Sequence, residues 1–229
     1  MDVHGAGGIA ILAKTSILEG ASSLPHVKVL EKGRVMSVKI SYGDNHLWLN
    51  NVHYQDFQQE QATLNALQKT IAAARHDPST RSLAVTAGDF NFLSKGEQPV
   101  RIAHAGAAHP NIKSRWLDTT RQRKWAPVLA PCVEIYQGEA TRMGKAKNAQ
   151  KDAYWIASRL DRIYFSWSPW QFSLATVSAR TVGNLAEMGQ TADSDHVGVG
   201  VKVSTKSAVP PGEQPLPRWL VNHAEYSGA

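Results

Sequence analysis

Three short polar signatures stand at the ends of β-type runs: Gly88-Asp89-Phe90-Asn91, Ser158-Arg159-Leu160-Asp161-Arg162-Ile163 and Ser194-Asp195-His196-Val197. They bring carboxylate, amide and imidazole groups to the lip of a sheet rather than its core. Phosphodiester hydrolysis needs such groups, to activate a water, neutralise charge on the pentavalent transition state and protonate the leaving oxygen. Asp161 and His196, at the ends of two late strands, could pair, the carboxylate fixing the imidazole tautomer and raising its basicity. Asp89 and Asn91 alternate with Phe90, so both face one side of an extended segment while Phe90 turns to the core. One acid and one amide on that side suit water orientation and phosphate contact. Asp195 adds a carboxylate beside His196 and could bind Mg²⁺ directly or through water. His53, ending another strand, could donate to a non-bridging phosphate oxygen.

Each group also has a plainer reading. Gly-Asp-x-Asn is good turn chemistry, Asp161 could be a salt-bridge partner of Arg159 or Arg162, and His196 could be a satisfied buried histidine. The order of the three signatures favours a site. Ser194-Asp195-His196 is not a nucleophilic triad, because adjacent strand residues face opposite ways.

The elements that must position these groups follow from the pattern. Ile9 to Ala13 is a continuous apolar run, expected as a strand buried on both faces. Residues 33–40 and 46–53 alternate around the turn Tyr42-Gly43-Asp44-Asn45 and form a hairpin. Asp56 is the expected N-cap of a helix running to His76, with Phe57, Leu64, Leu67, Ile71 and Ala74 near helical spacing. Residues 82–87 are the next strand, so a βαβ-like layer follows. Residues 94–130 are expected to be irregular, 133–136 a short strand and 138–152 a basic loop. Strands are expected at 162–165, 172–177 and 197–203.

The length, 229 residues, suits one sizeable α/β domain. The expected domain spans 1–204, and 205–229 is a Pro-rich linker or tail. The net charge of +6 is compatible with a polyanionic partner. A single cysteine, Cys132, excludes an intramolecular disulfide and a Cys-rich zinc site. The apolar run near the N-terminus is too short to span a membrane and has no basic flank of a signal peptide. The expected setting is intracellular, nuclear or cytoplasmic without distinction.

Together with Gly8-Ile9-Ala10-Ile11-Leu12 and Asn51-Val52-His53 upstream, the three signatures resemble the endonuclease/exonuclease/phosphatase superfamily. This DNase I-like group includes DNase I, the apurinic/apyrimidinic endonucleases and the nuclease domains of non-LTR retrotransposons. The resemblance covers most of residues 7 to 203. It implies a four-layer α/β sandwich, with two face-to-face mixed β-sheets covered by helices. It also implies a Mg²⁺-dependent endonuclease, with Mn²⁺ able to replace Mg²⁺, that nicks DNA in the manner of a retrotransposon domain. In those roles Asp89 aligns or activates the water, Asn91 holds the phosphate, Asp161 pairs with His196 and Asp195 lies beside the metal. His53 matches a second catalytic histidine, and Arg142, Lys145 and Arg159 would contact substrate. DNA is the implied partner, with RNA as an alternative. The tail is similar to segments that join a retroelement endonuclease to its reverse transcriptase.

Family members carry a strand with an Asn and a strand ending in Gln-Glu, whose Glu is the principal Mg²⁺ ligand, before the strand matching Gly8-Leu12. This sequence starts at Met1, so the expectation is a sandwich lacking those first strands, with a sheet edge or core face uncovered. Two rival readings stand beside the endonuclease. One is a catalytically silent remnant that binds nucleic acid electrostatically, and the other is a small-substrate phosphatase of the same superfamily.

Overall fold

The computed structural model describes residues 8–55, 57–75, 82–94, 97, 100–102, 119–147, 153–184 and 195–205. A helical turn, α1 (Thr15–Glu19), precedes three antiparallel strands, β1 (His26–Glu31), β2 (Val35–Tyr42) and β3 (Asn45–His53). Tyr42 pairs with Asn45, so β2 and β3 are joined by Gly43-Asp44 alone, with Gly43 at φ 62°. A two-residue hairpin loop needs that left-handed position to match strand twist.

Helix α2 (Glu60–Arg75) then buries Leu64, Leu67, Ile71 and Ala74 along one stripe. It returns the chain to β4 (Leu83–Asp89), which runs parallel to β3. There follow β5 (Val100–Ile102), α3 (Thr119–Leu129), β6 (Val133–Glu134), β7 (Arg142–Lys147), β8 (Ala153–Ser158) and β9 (Asp161–Phe165). The last elements are α4 (Pro169–Ser173), β10 (Ala175–Val182) and β11 (Gly198–Thr205).

The main sheet has six strands in the order β1-β2-β3-β4-β9-β6, mixed because only β3 and β4 are parallel. Strand alternation gives it two apolar faces. Val35, Trp48, Val52, Ala84 and Tyr164 pack under α2 and under Trp125 and Val128 of α3. Val85, Ala87, Ile163 and Phe165 face the second sheet, the β10–β11 pair, through Val177, Ala179, Val199 and Val201. Fully burying side chains of this size is worth about 1.5–3 kcal/mol each, so these two layers hold the strand ends in place. A third sheet, β5-β8-β7, projects from the rim. The α/β class and the two face-to-face sheets expected from the sequence are both present.

Four local expectations need correction. Residues 8–14 form no strand: Leu12 is 95% exposed, and the recorded tie is a side-chain bond from Asn51 Nδ2 to Ala10 O at 2.8 Å. An apolar run becomes a buried strand only where a neighbour supplies a ladder. The expected strand at 172–177 begins instead as α4, because Ser168 and Gln171 form a reciprocal capping box with Pro169 at the first helical position. The stretch 94–130, expected to be irregular, contains β5 and α3. Pro127 inside α3 and its cationic run masked a helix that Trp125 and Val128 anchor in the core. Within the expected basic loop, 142–147 form β7, which pairs with β8. Asp56, Ser194 and the tail from 206 lie outside the described residues. Among the described residues no helix is long and apolar enough to cross a membrane.

Candidate active site

Three strand ends meet at one edge of the main sheet. His53 lies opposite Asp89 across the parallel β3–β4 ladder, and Asp161 lies opposite Asp89 across β4–β9. Gly88 makes the first approach feasible: at φ 134°, a Cβ there would stand 1.9 Å from Val52 O. Fully buried Phe90 fixes the following turn, its N–H donating to Leu160 O at 3.0 Å. Asn91 adopts φ 51° and closes back on Asp89, its backbone N–H donating to Oδ1 at 2.8 Å and its Nδ2 to Oδ2 at 3.2 Å. Asparagine tolerates that left-handed conformation better than most residues.

His196 arrives from the segment before β11. Val197 N–H donates to Thr141 O and Met143 N–H to Asp195 O, both at 2.8 Å. The buried Thr141 hydroxyl in turn accepts from Leu160 N–H and Asp161 N–H, both at 3.0 Å. One threonine thus ties the His196 segment to the start of β9. His196 Nδ1 donates to Asp161 Oδ2 at 2.8 Å. Asp89 Oδ2 then faces two imidazoles, 4.0 Å from His196 Nε2 and 3.9 Å from His53 Nε2. Both distances exceed a direct hydrogen bond.

Burial and neighbours tune these groups in different directions. Burial, then the Asp161 charge, push the Asp89 carboxyl above its ordinary value, against the Asn91 N–H and both histidines. Burial alone would lower His196, but the Asp161 hydrogen bond and charge, aided by Asp89 and Asp195, outweigh it and raise the imidazole. The cluster therefore holds an acid that resists ionisation beside a base with enhanced basicity, a combination typical of proton-transfer sites. An open cleft of about 530 Å³ borders it, lined by Leu49, Val85, Ala87, Val199 and Asp161 among others.

Of the expected residues, the structure brings together His53, Asp89, Asn91, Asp161 and His196. The substrate and metal candidates sit differently. Arg159 is only 6% exposed, with its guanidinium taken up by Glu97 and Glu134 and set over the Tyr136 ring at 4.5 Å. It stands behind the rim as part of the scaffold. Arg142 Nε donates to Asp195 Oδ2 at 2.8 Å, and this pairing draws the Asp195 carboxyl below its ordinary range despite its burial. Lys145 pairs in register with Trp155 on the β7–β8 ribbon.

The divalent cation implied by the resemblance finds no matching donor set: among the described residues no group of three or more His, Cys, Asp or Glu is arranged to hold a metal. Asp195, the expected ligand, is engaged by a cation instead. Sequence reasoning missed Arg34, Thr141, Glu97 and Glu134. Arg34 Nη1 donates to His53 Nδ1 at 3.0 Å. Its only signal was its place at the start of the hairpin strand that pairs with the His53 strand.

No protein-family model and no curated protein matches the chain. Among solved structures it is similar to the endonuclease domain of TRAS1, a telomere-specific non-LTR retrotransposon (14% identity, TM-score 0.44, 80% of this chain and 69% of that one). It is also similar to an endonuclease/exonuclease/phosphatase family protein from Leptotrichia buccalis (12% identity, TM-score 0.42, 80% and 62%). A third is D. rerio TDP2 complexed with a single-strand DNA product (14% identity, TM-score 0.39, 79% and 66%). The chain spans 62% to 69% of the length of these three structures.

Proposed function

We propose that the chain is a phosphodiesterase of the DNase I-like kind that nicks DNA. The observation that carries this reading is the line Asp161–His196–Asp89–His53, in which one paired imidazole and a second imidazole face the same reluctant carboxylate. A water between Asp89 Oδ2 and His196 Nε2 can give its proton to His196, whose charge Asp161 then balances, as its oxygen attacks phosphorus; the P–O bond to the leaving oxygen breaks, and that oxygen takes a proton from solvent. His53, and Asn91 through its remaining amide hydrogen, lie where non-bridging phosphate oxygens develop charge. The +6 net charge supports a polyanionic substrate over a small phosphate ester. A requirement for Mg²⁺ or Mn²⁺ belongs to this proposal through the resemblance alone.

A second reading is favoured by the Arg142–Asp195 pair and the unmatched donor set: a protein that binds nucleic acid without cutting it. Conversion of supercoiled plasmid to open circle, measured in Mg²⁺, in Mn²⁺ and in EDTA, separates the two. Nicking that falls at least about 100-fold in Asp89→Ala and His196→Ala supports the phosphodiesterase. Nicking indifferent to both substitutions sinks the site assignment. Salt-sensitive DNA binding with no nicking in any of the three conditions establishes the silent binder.

A further inference from the structure

The two histidines of the cluster have partners of opposite charge. His196 Nδ1 meets the Asp161 carboxylate at 2.8 Å, and His53 Nδ1 meets the Arg34 guanidinium at 3.0 Å. A carboxylate only accepts, so His196 must carry its proton on Nδ1, and in the neutral ring Nε2 presents a lone pair. A guanidinium only donates and does not deprotonate, so His53 Nδ1 must present the lone pair, and the ring proton sits on Nε2. Both Nε2 atoms face Asp89 Oδ2, at 4.0 Å and 3.9 Å. The same side chain is thus displayed once as an acceptor and once as a donor.

We propose that Arg34 is a positioning residue that holds His53 as the neutral Nε2–H tautomer, making it a fixed hydrogen-bond donor to a phosphate oxygen rather than a proton-transfer group. The inference rests on the phosphodiesterase reading for its use but on β2–β3 geometry for its structure. His53 N–H also donates to Arg34 O at 2.8 Å, so backbone and side chain tie the same two residues together. Among the described residues, the charged groups facing the His53 ring are Arg34 from the turn before β2, Asp89 from the end of β4 and, beyond Asp89, His196. An Nε2–H donor answers the charge developing on a non-bridging oxygen without competing with His196 for the water's proton.

Long-range ¹H–¹⁵N correlation of histidine side chains in the whole protein reads the tautomers directly, with the His53 signals identified by their loss in His53→Gln. His53 is expected to be protonated at Nε2 alone, and a proton on its Nδ1 overturns the proposal. Arg34→Met removes the donor and is expected to yield a mixture of His53 tautomers. An unchanged Nε2–H form in that variant would show that Arg34 is not the determinant. In the nicking assay, His53→Gln supplies an N–H at the Nε2 position but cannot relay a proton. It is expected within about tenfold of the parent, while His53→Ala loses about 100-fold in kcat/KM. His196→Gln should be as damaging as His196→Ala. Equal losses in His53→Gln and His53→Ala would overturn the donor role. If the parent chain does not nick, the function falls, and the spectra still decide the role of Arg34.

Discussion

Two groups of ionisable side chains lie on either side of β9, and they are built on opposite rules. Behind the rim, Arg162 is fully buried and meets Glu97 Oε2 at 2.5 Å, Glu134 Oε1 at 3.0 Å and Phe92 O at 3.1 Å. Arg159 shares the same two glutamates, and burial, which would raise the Glu97 carboxyl, is outweighed by the hydrogen bond and charge of Arg162, aided by the Arg159 hydrogen bond, so Glu97 is held below its usual range. At the rim, Asp89 stands near two histidines without touching either. The inner network joins charge to charge at contact distance, with Arg162 Nε alone left over among its nitrogens, whereas the outer cluster holds Asp89 Oδ2 3.9 and 4.0 Å from the two imidazoles. Direct ion pairs rigidify a loop, and a gap wider than a hydrogen bond can take up a water or substrate oxygen. The inner network also grips the Asp89–Phe92 turn from behind, through Phe92 O, so it holds the geometry that the outer cluster uses.

That contrast predicts effects of different kinds, the largest first. Arg162→Ala removes a fully buried guanidinium and leaves the half-buried Glu97 and Glu134 to Arg159 alone, and should cost about 3 kcal/mol of stability, measured as a fall in the denaturant midpoint at unchanged slope. Loss of less than about 1 kcal/mol would put Arg162 outside the scaffold. His196→Ala should do the reverse, lowering nicking by at least about 100-fold while changing stability by no more than about 1 kcal/mol. A large stability loss there would erase the distinction between the two regions. Gly88→Ala sits between them, because its Cβ would collide with Val52 O. It should destabilise by about 1–3 kcal/mol and also reduce activity by separating His53 from Asp89, so a variant with native stability and activity would refute the close-approach account.

The smallest effect is the most discriminating. His196 is raised above 6.5, chiefly because Asp161 outweighs its burial. As a base it works only when neutral, so kcat/KM should fall as pH drops through a value above 6.5. Asp161→Asn should move that limb to lower pH. The linkage sign is that of a raised imidazole: the stability His196 contributes is fully present below 6.5 and is lost as pH rises through its folded value. A limb that Asp161→Asn leaves in place would assign the ionisation to another group.

Much of the fold was legible where local pattern and tertiary packing agree. The β2–β3 hairpin was readable from alternation around Gly43, α2 from its stripe of Leu64, Leu67 and Ile71, and the end of β4 from its glycine and acid. Legibility failed where a distant partner decides the outcome. The apolar run 9–13 was misread because no local signal tells whether a ladder awaits it. The α3 helix was hidden by Pro127, and its place depends on Trp125 finding the core under Val52 and Phe90. The carboxylate partners of Arg159 and Arg142 were not legible either, because charge in a sequence says nothing of whether a carboxylate already holds it.

The candidate site divides in the same way. Asp89, Asn91, Asp161, His196 and His53 were identifiable in the sequence, since strand-end position and residue chemistry are local properties. Which histidine accepts and which donates was decided by the tertiary structure alone. Arg34 and His53 are 19 residues apart, and Asp161 and His196 are 35 apart. A tautomer is set by the atom opposite Nδ1, and only strand register and the Thr141 tie bring that atom into place.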